Sequence, residues 1–106
     1  MAYEIVMGIH VSDDEVYAEY RKAMMSILER YGGAFRWDFE VSGVLITPSE
    51  SDRDGASINR LFVIRFPDRA ARERFFADPG YAEVKKRYFD RSVTFKSIIA
   101  EYTTTG

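Results

Sequence analysis

The sequence has 106 residues, of which 46% are hydrophobic, 15% aromatic and 30% charged, with a net charge of −2. This length fits one ordinary domain, and the many large apolar side chains exclude a chain that is disordered throughout. The near-neutral charge excludes the basic surface of a nucleic-acid-binding protein. Without cysteine there are no disulfides or thiolate metal sites, and a single histidine excludes a multi-histidine site. We expect neither a metal nor a cofactor.

Targeting and membrane signals are also missing from the sequence. The N-terminus has no basic segment of the kind that opens a secretory signal. No apolar run approaches the roughly 20 residues that cross a bilayer. We therefore expect a cytoplasmic protein that does not bind a membrane.

A strand and a helix are predicted at the start of the chain. Residues 3–11 alternate in polarity, which predicts a strand with one apolar face made of Tyr3, Ile5, Met7, Ile9 and Val11. Ser12 and Glu15 have the spacing of a capping box, in which each side chain bonds the other residue's backbone amide. An apolar stripe at helical spacing then predicts a helix over 13–31. Gly32 ends it, because glycine adopts the left-handed conformation without strain.

The middle of the chain predicts two strands and a loop. Residues 34–47 predict a long strand with Phe35, Trp37, Phe39 and Val41 alternating with polar residues. The alternation changes phase at Gly43, which predicts a bulge or bend there. The polar residues 48–57 predict a surface hairpin loop. Residues 59–66 predict a third strand, which Pro67 ends.

A second helical region and a last strand complete the pattern. Asp68 can cap a helix, and Asp78 followed by Pro79 restarts it, since proline fits the first helical position after an aspartate cap. The apolar spacing continues to about residue 91. Residues 94–102 predict the fourth strand.

The element order βαββαβ predicts a single ferredoxin-like α+β domain over residues 1–106. Two right-handed split βαβ units give a four-stranded antiparallel sheet with two helices on one face. The other face would carry Val6, Gly8, Leu61 and Val63 with His10 and Arg65, or the more apolar alternate residues if the faces are reversed. Exposed apolar surface costs roughly 25 cal/mol per Å². We therefore predict a homodimer in which two such faces close into a dimeric α+β barrel.

Two segments resemble a bacterial family of unknown function within the dimeric α+β barrel superfamily. The first is Tyr31-Gly32-Gly33 after the amphipathic helix. The second runs from Phe66-Pro67-Asp68 to Asp78-Pro79-Gly80-Tyr81. The superfamily also contains antibiotic-biosynthesis monooxygenases, ethyl-ether-degradation proteins and haem-degrading enzymes. The resemblance implies the fold and the dimer, but no particular reaction, because one fold hosts many chemistries.

Four polar residues on the predicted strands are candidates for chemistry. His10 titrates near neutral pH, which suits a general acid or base, and Arg65 could hold a carboxylate or enolate oxygen in a bidentate fork. Arg36 and Asp38 on the neighbouring strand would complete a ligand-binding polar cluster. The alternative without chemistry is that His10 lies in the interface or bonds locally near Ser12, while Arg65 and Asp38 form a structural ion pair.

Tyrosines on the predicted helices are candidates for a cavity between helices and sheet. Tyr20 and Tyr88, together with Tyr17 and Tyr81, would offer phenols to a flat organic ligand. The alternative is that these rings are core, with their hydroxyls at its edge.

Three classes of function remain open from the sequence. The first is a dimeric barrel that binds a small molecule, including a cofactor-independent enzyme acting on a small organic acid or aromatic metabolite. The second is a non-catalytic homodimeric interaction or structural protein, which the absence of a sizeable cavity would favour. The third is a haem-handling protein, ranked below these two because the single histidine lies on a strand.

Overall fold

The computed structural model of the chain describes residues 1–47 and 57–105. In chain order the elements are β1 (Ala2–Val11), α1 (Asp14–Arg30), β2 (Ala34–Glu40), β3 (Arg60–Phe66), α2 (Arg69–Ala77), α3 (Pro79–Val84) and β4 (Val93–Thr104). Between α3 and β4 the helix widens into a π-helical turn, Lys85–Phe89, and finishes with a last turn, Asp90–Ser92. The strands form one antiparallel sheet in the order β2-β3-β1-β4. The predicted ferredoxin-like arrangement is confirmed.

The core lies between the helices and one face of the sheet. The five predicted residues of β1, from Tyr3 to Val11, are all buried, and Ile5 and Ile9 have no exposed surface. From β3, Phe62, Ile64 and Phe66 point to the same side and are also buried. The predicted alternation of β1 is therefore confirmed, and the opposite face, here called the open face, carries the residues between these.

The start of α1 differs from the predicted capping box. Asp13 is the cap, and its carboxylate accepts the Val16 amide hydrogen at 3.1 Å. Ser12 instead donates from its amide to the Ser92 carbonyl oxygen at 2.8 Å and from its hydroxyl to the same oxygen at 3.3 Å. Ser12 is thus held by the last residue before β4, and the cap lies one residue further along the chain. The predicted end is confirmed, with Gly32 at a positive φ of 74°.

The second strand is shorter than predicted. β2 ends at Glu40, and after the bond from the Val41 amide to the Asn59 carbonyl oxygen the chain leaves the sheet. The pairing of β2 with β3 ends at Glu40 and Arg60, the first residue of β3. Residues 42–47 therefore pair with no strand in the described part of the chain. The strand predicted over 34–47 was therefore wrong beyond residue 41, and Gly43 lies in irregular backbone. Of the predicted loop over 48–57, only Ser57 belongs to the described residues.

A bulge at Arg36 changes which face of the sheet the following β2 side chains occupy. Phe35 pairs with Ile64 and packs toward the helices, whereas Trp37 pairs with Val63 and lies on the open face. The extra residue between these pairs shifts the alternation by one. The predicted shared face of Phe35 and Trp37 was consequently wrong.

The second helical region follows the predicted caps. The Asp68 carboxylate accepts the Ala71 amide hydrogen at 2.7 Å, and the Asp78 carboxylate accepts those of Gly80 and Tyr81 at 2.7 and 3.1 Å. The fourth strand, predicted over 94–102, extends further at both ends. These helices lie against α1 on the covered side of the sheet.

Candidate functional site

A cavity of about 330 Å³ lies between the sheet and the helices. Met7, Phe62 and Ile64 line it from the sheet, Met24 from α1 and Phe75 from α2. Each comes from the inward face of its element, and the cavity opens to solvent beside Lys96 and Ile98, which are exposed. Protein ligand sites are typically apolar hollows of roughly 300–1,000 Å³ with a few polar groups. A cavity between sheet and helices, one of the two alternatives for the tyrosines, is therefore present, and we call it the sheet–helix cavity. Tyr17, Tyr20 and Tyr81 also belong to the buried core, which was the other alternative.

Two phenols meet on the wall of the sheet–helix cavity. Tyr20 of α1 and Tyr81 of α3 are each 5% exposed, and their hydroxyl oxygens are 2.9 Å apart. Burial raises the pKa of both tyrosines, that of Tyr20 well above its ordinary value. Both hydroxyls are therefore neutral at physiological pH and act as hydrogen-bond donors and acceptors.

Three basic residues also line the sheet–helix cavity: Arg72, Lys85 and Lys96. Arg72 has its Nε 3.0 Å from Glu101, and the Lys85 Nζ is 3.0 Å from Asp90.

Lys96 forms no ion pair with a carboxylate in the described part of the chain. Burial, followed by the charge of Lys85 and a hydrogen bond with it, lowers the pKa of Lys96. The cavity wall thus carries a positive charge that a carboxylate could neutralise.

The π-helical turn supplies two of the cavity residues. Lys85 at its start and Phe89 at its end both line the cavity, and the Nζ atoms of Lys85 and Lys96 each lie 5.7 Å from the centre of the Phe89 ring. π-helical turns are rare and occur often at functional sites. Here the widened turn brings both residues to the cavity.

The sequence predicted only part of this wall. Tyr20 and Tyr81 lie on it, as expected of a cavity-lining pair, and Tyr17 packs beside Tyr20 at a ring distance of 5.7 Å. Tyr88 is half-buried against the core and lies under the Arg87 guanidinium at 5.5 Å, away from the wall. Lys96 was missed because it is an exposed residue of β4, and its local pattern is that of an ordinary solvent-facing lysine.

The predicted catalytic pair, His10 and Arg65, is not brought together. Both lie on the open face, but Arg65 pairs with Glu4 in the sheet register. Glu4 and His10 are six positions apart along β1, which corresponds to about 20 Å. His10 donates from Nδ1 to the Ser57 carbonyl oxygen at 2.5 Å, rather than bonding near Ser12. Neither residue lines the sheet–helix cavity, so their catalytic roles stay predictions.

Arg36 and Asp38 lie on opposite faces of the sheet because of the β2 bulge. Asp38 faces α1, where its carboxylate is 3.0 Å from Arg21. That guanidinium also lies 3.7 Å from the centre of the Phe35 ring. Asp38 thus supports the contact between α1 and β2, and the predicted cluster of Asp38 with Arg36 does not form.

Arg36 and Arg65 meet instead at Glu4, a buried carboxylate on the open face. Glu4 is 1% exposed, and it accepts hydrogen bonds from Arg36 at 2.7 Å and from the Tyr102 hydroxyl at 2.8 Å. The Arg65 Nε is 3.9 Å away. Burial acts to raise the pKa of Glu4, but these bonds and the two positive charges outweigh it and lower the pKa. Glu4 could have been found in the sequence as an acidic residue within an apolar strand, because a buried carboxylate needs a cationic partner.

We expect replacement of Glu4 by Gln to reduce the pH dependence of the free energy of unfolding at acid pH. A lowered pKa stabilises the folded state above the ordinary glutamate pKa of about 4.3, and this stabilisation is lost as the pH falls through the lowered value. At pH 7 the variant should lose about 1–3 kcal/mol, because Arg36 and Tyr102 lose a charged acceptor. Urea unfolding at pH 7 and pH 3.5, at one protein concentration, measures both effects. The exposed Glu19→Gln is the control, and equal pH dependence in all three proteins would contradict the role of Glu4.

The open face also exposes apolar surface. Trp37 and Phe39 stack at 5.7 Å with an angle of 10° between their rings, and they are 52% and 47% exposed. Beside them lies an apolar groove of about 520 Å³, bordered by Val44, Leu61 and Ile99 among others. Contiguous apolar surface of this kind marks an interaction site more often than free protein surface.

Residues 1–47 and 57–105 contain neither a metal-binding cluster nor a membrane-spanning helix. No group of three or more His, Asp or Glu side chains there is arranged to hold a metal ion. None of the helices in these ranges has the length and apolar composition that crossing a membrane requires.

The sheet order and the helices on one face define a ferredoxin-like α+β protein. The chain belongs to the family DUF1330, described as a domain of unknown function, which it matches over residues 1–102. No curated protein matches it by sequence.

Three solved structures show the same fold. A protein of unknown function from Rhodopseudomonas palustris is 20% identical, with a TM-score of 0.78 over 99% of this chain and 83% of that one. A DABB family protein from Mesorhizobium loti is 14% identical, with a TM-score of 0.70 over 99% and 98%. A dimeric protein of unknown function from Bacteroides fragilis is 12% identical, with a TM-score of 0.59 over 97% and 96%. At these identities the similarity shows the fold alone.

Proposed function

We propose that this protein binds a small, flat organic acid in the sheet–helix cavity. The observation that carries the proposal is the cavity itself, about 330 Å³ in volume, with aromatic and aliphatic walls and basic residues. Unfilled apolar volume between packed elements is destabilising. Its retention here therefore favours a binding role over a protein whose polar residues serve assembly alone. The proposal concerns binding, and it leaves the reaction open.

The charges on the wall favour an acid over a neutral compound. No acidic side chain is among the described residues that line the cavity, whereas three basic ones are. Arg72 and Lys85 have carboxylate partners of their own, so Lys96 is the cation available to a ligand. A carboxylate near Lys96 would also reduce the repulsion between Lys96 and Lys85. The rings of Tyr20 and Phe89 pack against each other, with their centres 4.9 Å apart, and form an aromatic wall for the flat body of the ligand.

We further propose that two copies of the chain pair through their open faces. The support is the exposed Trp37–Phe39 stack, the adjacent groove and the one-sided placement of the helices. The structural relative from Bacteroides fragilis is described as dimeric. A two-fold dimer is the commonest way to cover such a surface. The sheet–helix cavity lies on the other side of the sheet, although Ile98 of the edge strand β4 borders both the cavity and the groove.

Phenylacetate is a suitable probe of the acid site. We expect it to bind the native chain and to bind Lys96→Gln about fivefold more weakly, which corresponds to roughly 1 kcal/mol for a partly exposed ion pair. Because the pKa of Lys96 is lowered by burial and by Lys85, affinity should decline as the pH rises through that lowered value, below the ordinary lysine pKa of about 10.4. Isothermal titration calorimetry from pH 7 to pH 10 measures both effects.

Lys86→Gln provides the matched control for this measurement. Lys86 lies in the same π-helical turn as Lys85, but it is exposed and does not line the cavity. It should bind phenylacetate as the native chain does. No binding by the native chain, or equal weakening in the Lys86 and Lys96 variants, would contradict the proposed site.

A further inference from the structure

The Tyr20–Tyr81 pair contains one more hydrogen than it can use internally. Each hydroxyl has a single hydrogen, and a hydrogen bond between the two consumes only one of them. Within residues 1–47 and 57–105, these hydroxyls form hydrogen bonds only to each other. Both side chains are 5% exposed, so bulk water is largely excluded. A buried hydroxyl hydrogen without an acceptor is unfavourable, and most buried polar groups in proteins have a partner.

We propose that the second hydrogen of this pair is donated to a carbonyl oxygen of the bound ligand. The proposal rests on the proposed function, since it assigns a second contact within the same sheet–helix cavity. Both tyrosines line that cavity, which places the pair beside a ligand bound there. The pair then acts as a specificity determinant, because a ligand with a methylene group at this point would leave the hydrogen unpaired.

The positions of the phenols and lysines define the substrate class further. The Phe89 ring is 4.9 Å from the Tyr20 ring, and it also contacts both lysine ammonium groups of the wall at 5.7 Å. A single small ligand that spans this ring can therefore meet a cation and a phenol at different atoms. The substrate class is an apolar oxo acid, which carries a carboxylate and, separately, a carbonyl group on a flat body.

Two matched probes test the assignment: 4-acetylbenzoate and 4-ethylbenzoate. They share the carboxylate and the ring and differ by a carbonyl group in place of a methylene group. The native chain should bind 4-acetylbenzoate about threefold to tenfold more tightly, the range expected for one neutral hydrogen bond. The double variant Tyr20→Phe/Tyr81→Phe should lose this preference, so that it binds 4-acetylbenzoate no more tightly than 4-ethylbenzoate. Isothermal titration calorimetry measures all of these affinities.

The double variant is used because either phenol alone could donate its hydrogen. Replacing both members of a hydrogen-bonded pair by apolar groups of similar shape is nearly neutral for stability, so the variant is expected to fold. Circular dichroism and urea unfolding verify that the double variant is folded. Tyr17→Phe is the control: its hydroxyl accepts from Arg21 at 3.3 Å and does not line the cavity, so the preference for the acetyl compound should persist.

The outcomes separate this assignment from the proposed function. Equal binding of the two acids by the native chain, or a preference that survives in the double variant, would overturn the role of the phenol pair while leaving acid binding established. Failure of the native chain to bind either acid would overturn both. Loss of the preference in the double variant alone, with Tyr17→Phe unaffected, would support the assignment.

Discussion

Replacing Trp37 by Asp is expected to convert the proposed homodimer into single chains. The native protein should have twice the 12.3 kDa mass of one chain in solution, and the variant should have the mass of one. Trp37 is 52% exposed and stacks on Phe39 on the open face of β2, an edge strand of the sheet. Tryptophans in such positions commonly contribute about 2–4 kcal/mol to association, and a buried unpaired carboxylate adds a further penalty. Dimer affinity should therefore fall by about 30-fold to 1,000-fold.

Light scattering after size-exclusion chromatography at micromolar concentration measures the change in mass. Ala18→Asp is the matched control, because it places the same carboxylate on an exposed position of α1, on the helical side of the molecule. It should leave the mass at two chains, and circular dichroism should show both variants folded. A native chain with the mass of one copy, or an unchanged mass for the Trp37 variant, would refute pairing through the open face.

The sequence predicted the fold well because the strongest signals are periodic. In β1, alternation with period two assigned every core residue from Tyr3 to Val11 correctly. Aspartates at 68 and 78 predicted the second helical region through a local hydrogen bond that needs no tertiary information. Element order then restricted the topology to a few arrangements.

Strand β2 shows where periodic signals stop being sufficient. Phe35, Trp37 and Phe39 alternate perfectly in sequence, yet the bulge at Arg36 places Phe35 on the face opposite the other two. The position of a bulge depends on which residues of the two strands pair. No glycine or proline at this position indicates the bulge in the sequence. Because of the same unpredicted shift, Asp38 forms an ion pair with Arg21, and Arg36 forms one with Glu4.

The candidate site was predicted less well because it depends on register between distant segments. His10 and Arg65 lie on adjacent strands, but only the register shows that they are separated along the sheet. Lys85 and Lys96 approach the same Phe89 ring through a π-helical turn and β4, which no local pattern connects. Tyr20 was predicted because an inward position on an amphipathic helix is visible in sequence.

Replacing Phe75 by Ala is expected to remove about 3–5 kcal/mol of folding free energy. Phe75 has no exposed surface and lies at the centre of an aromatic cluster, with ring distances of 4.4 Å to Tyr81, 5.0 Å to Phe76 and 5.8 Å to Phe66. Deleting a buried ring loses its transfer free energy and leaves a space that the neighbours fill only in part. Since domains are stabilised by about 5–15 kcal/mol in total, this is a large fraction.

Urea unfolding measures this loss as a shift of the midpoint at an unchanged slope. Phe75→Leu is the graded control, because leucine keeps much of the volume and should lose about 1–2 kcal/mol. Phe75 joins α2 to both α3 and β3, so the alanine variant should also loosen the wall of the sheet–helix cavity and weaken phenylacetate binding. A loss below about 1 kcal/mol for the alanine variant would mean that this cluster does not hold the helices on the sheet. The leucine variant, which preserves the packing between these elements, should retain most of the binding.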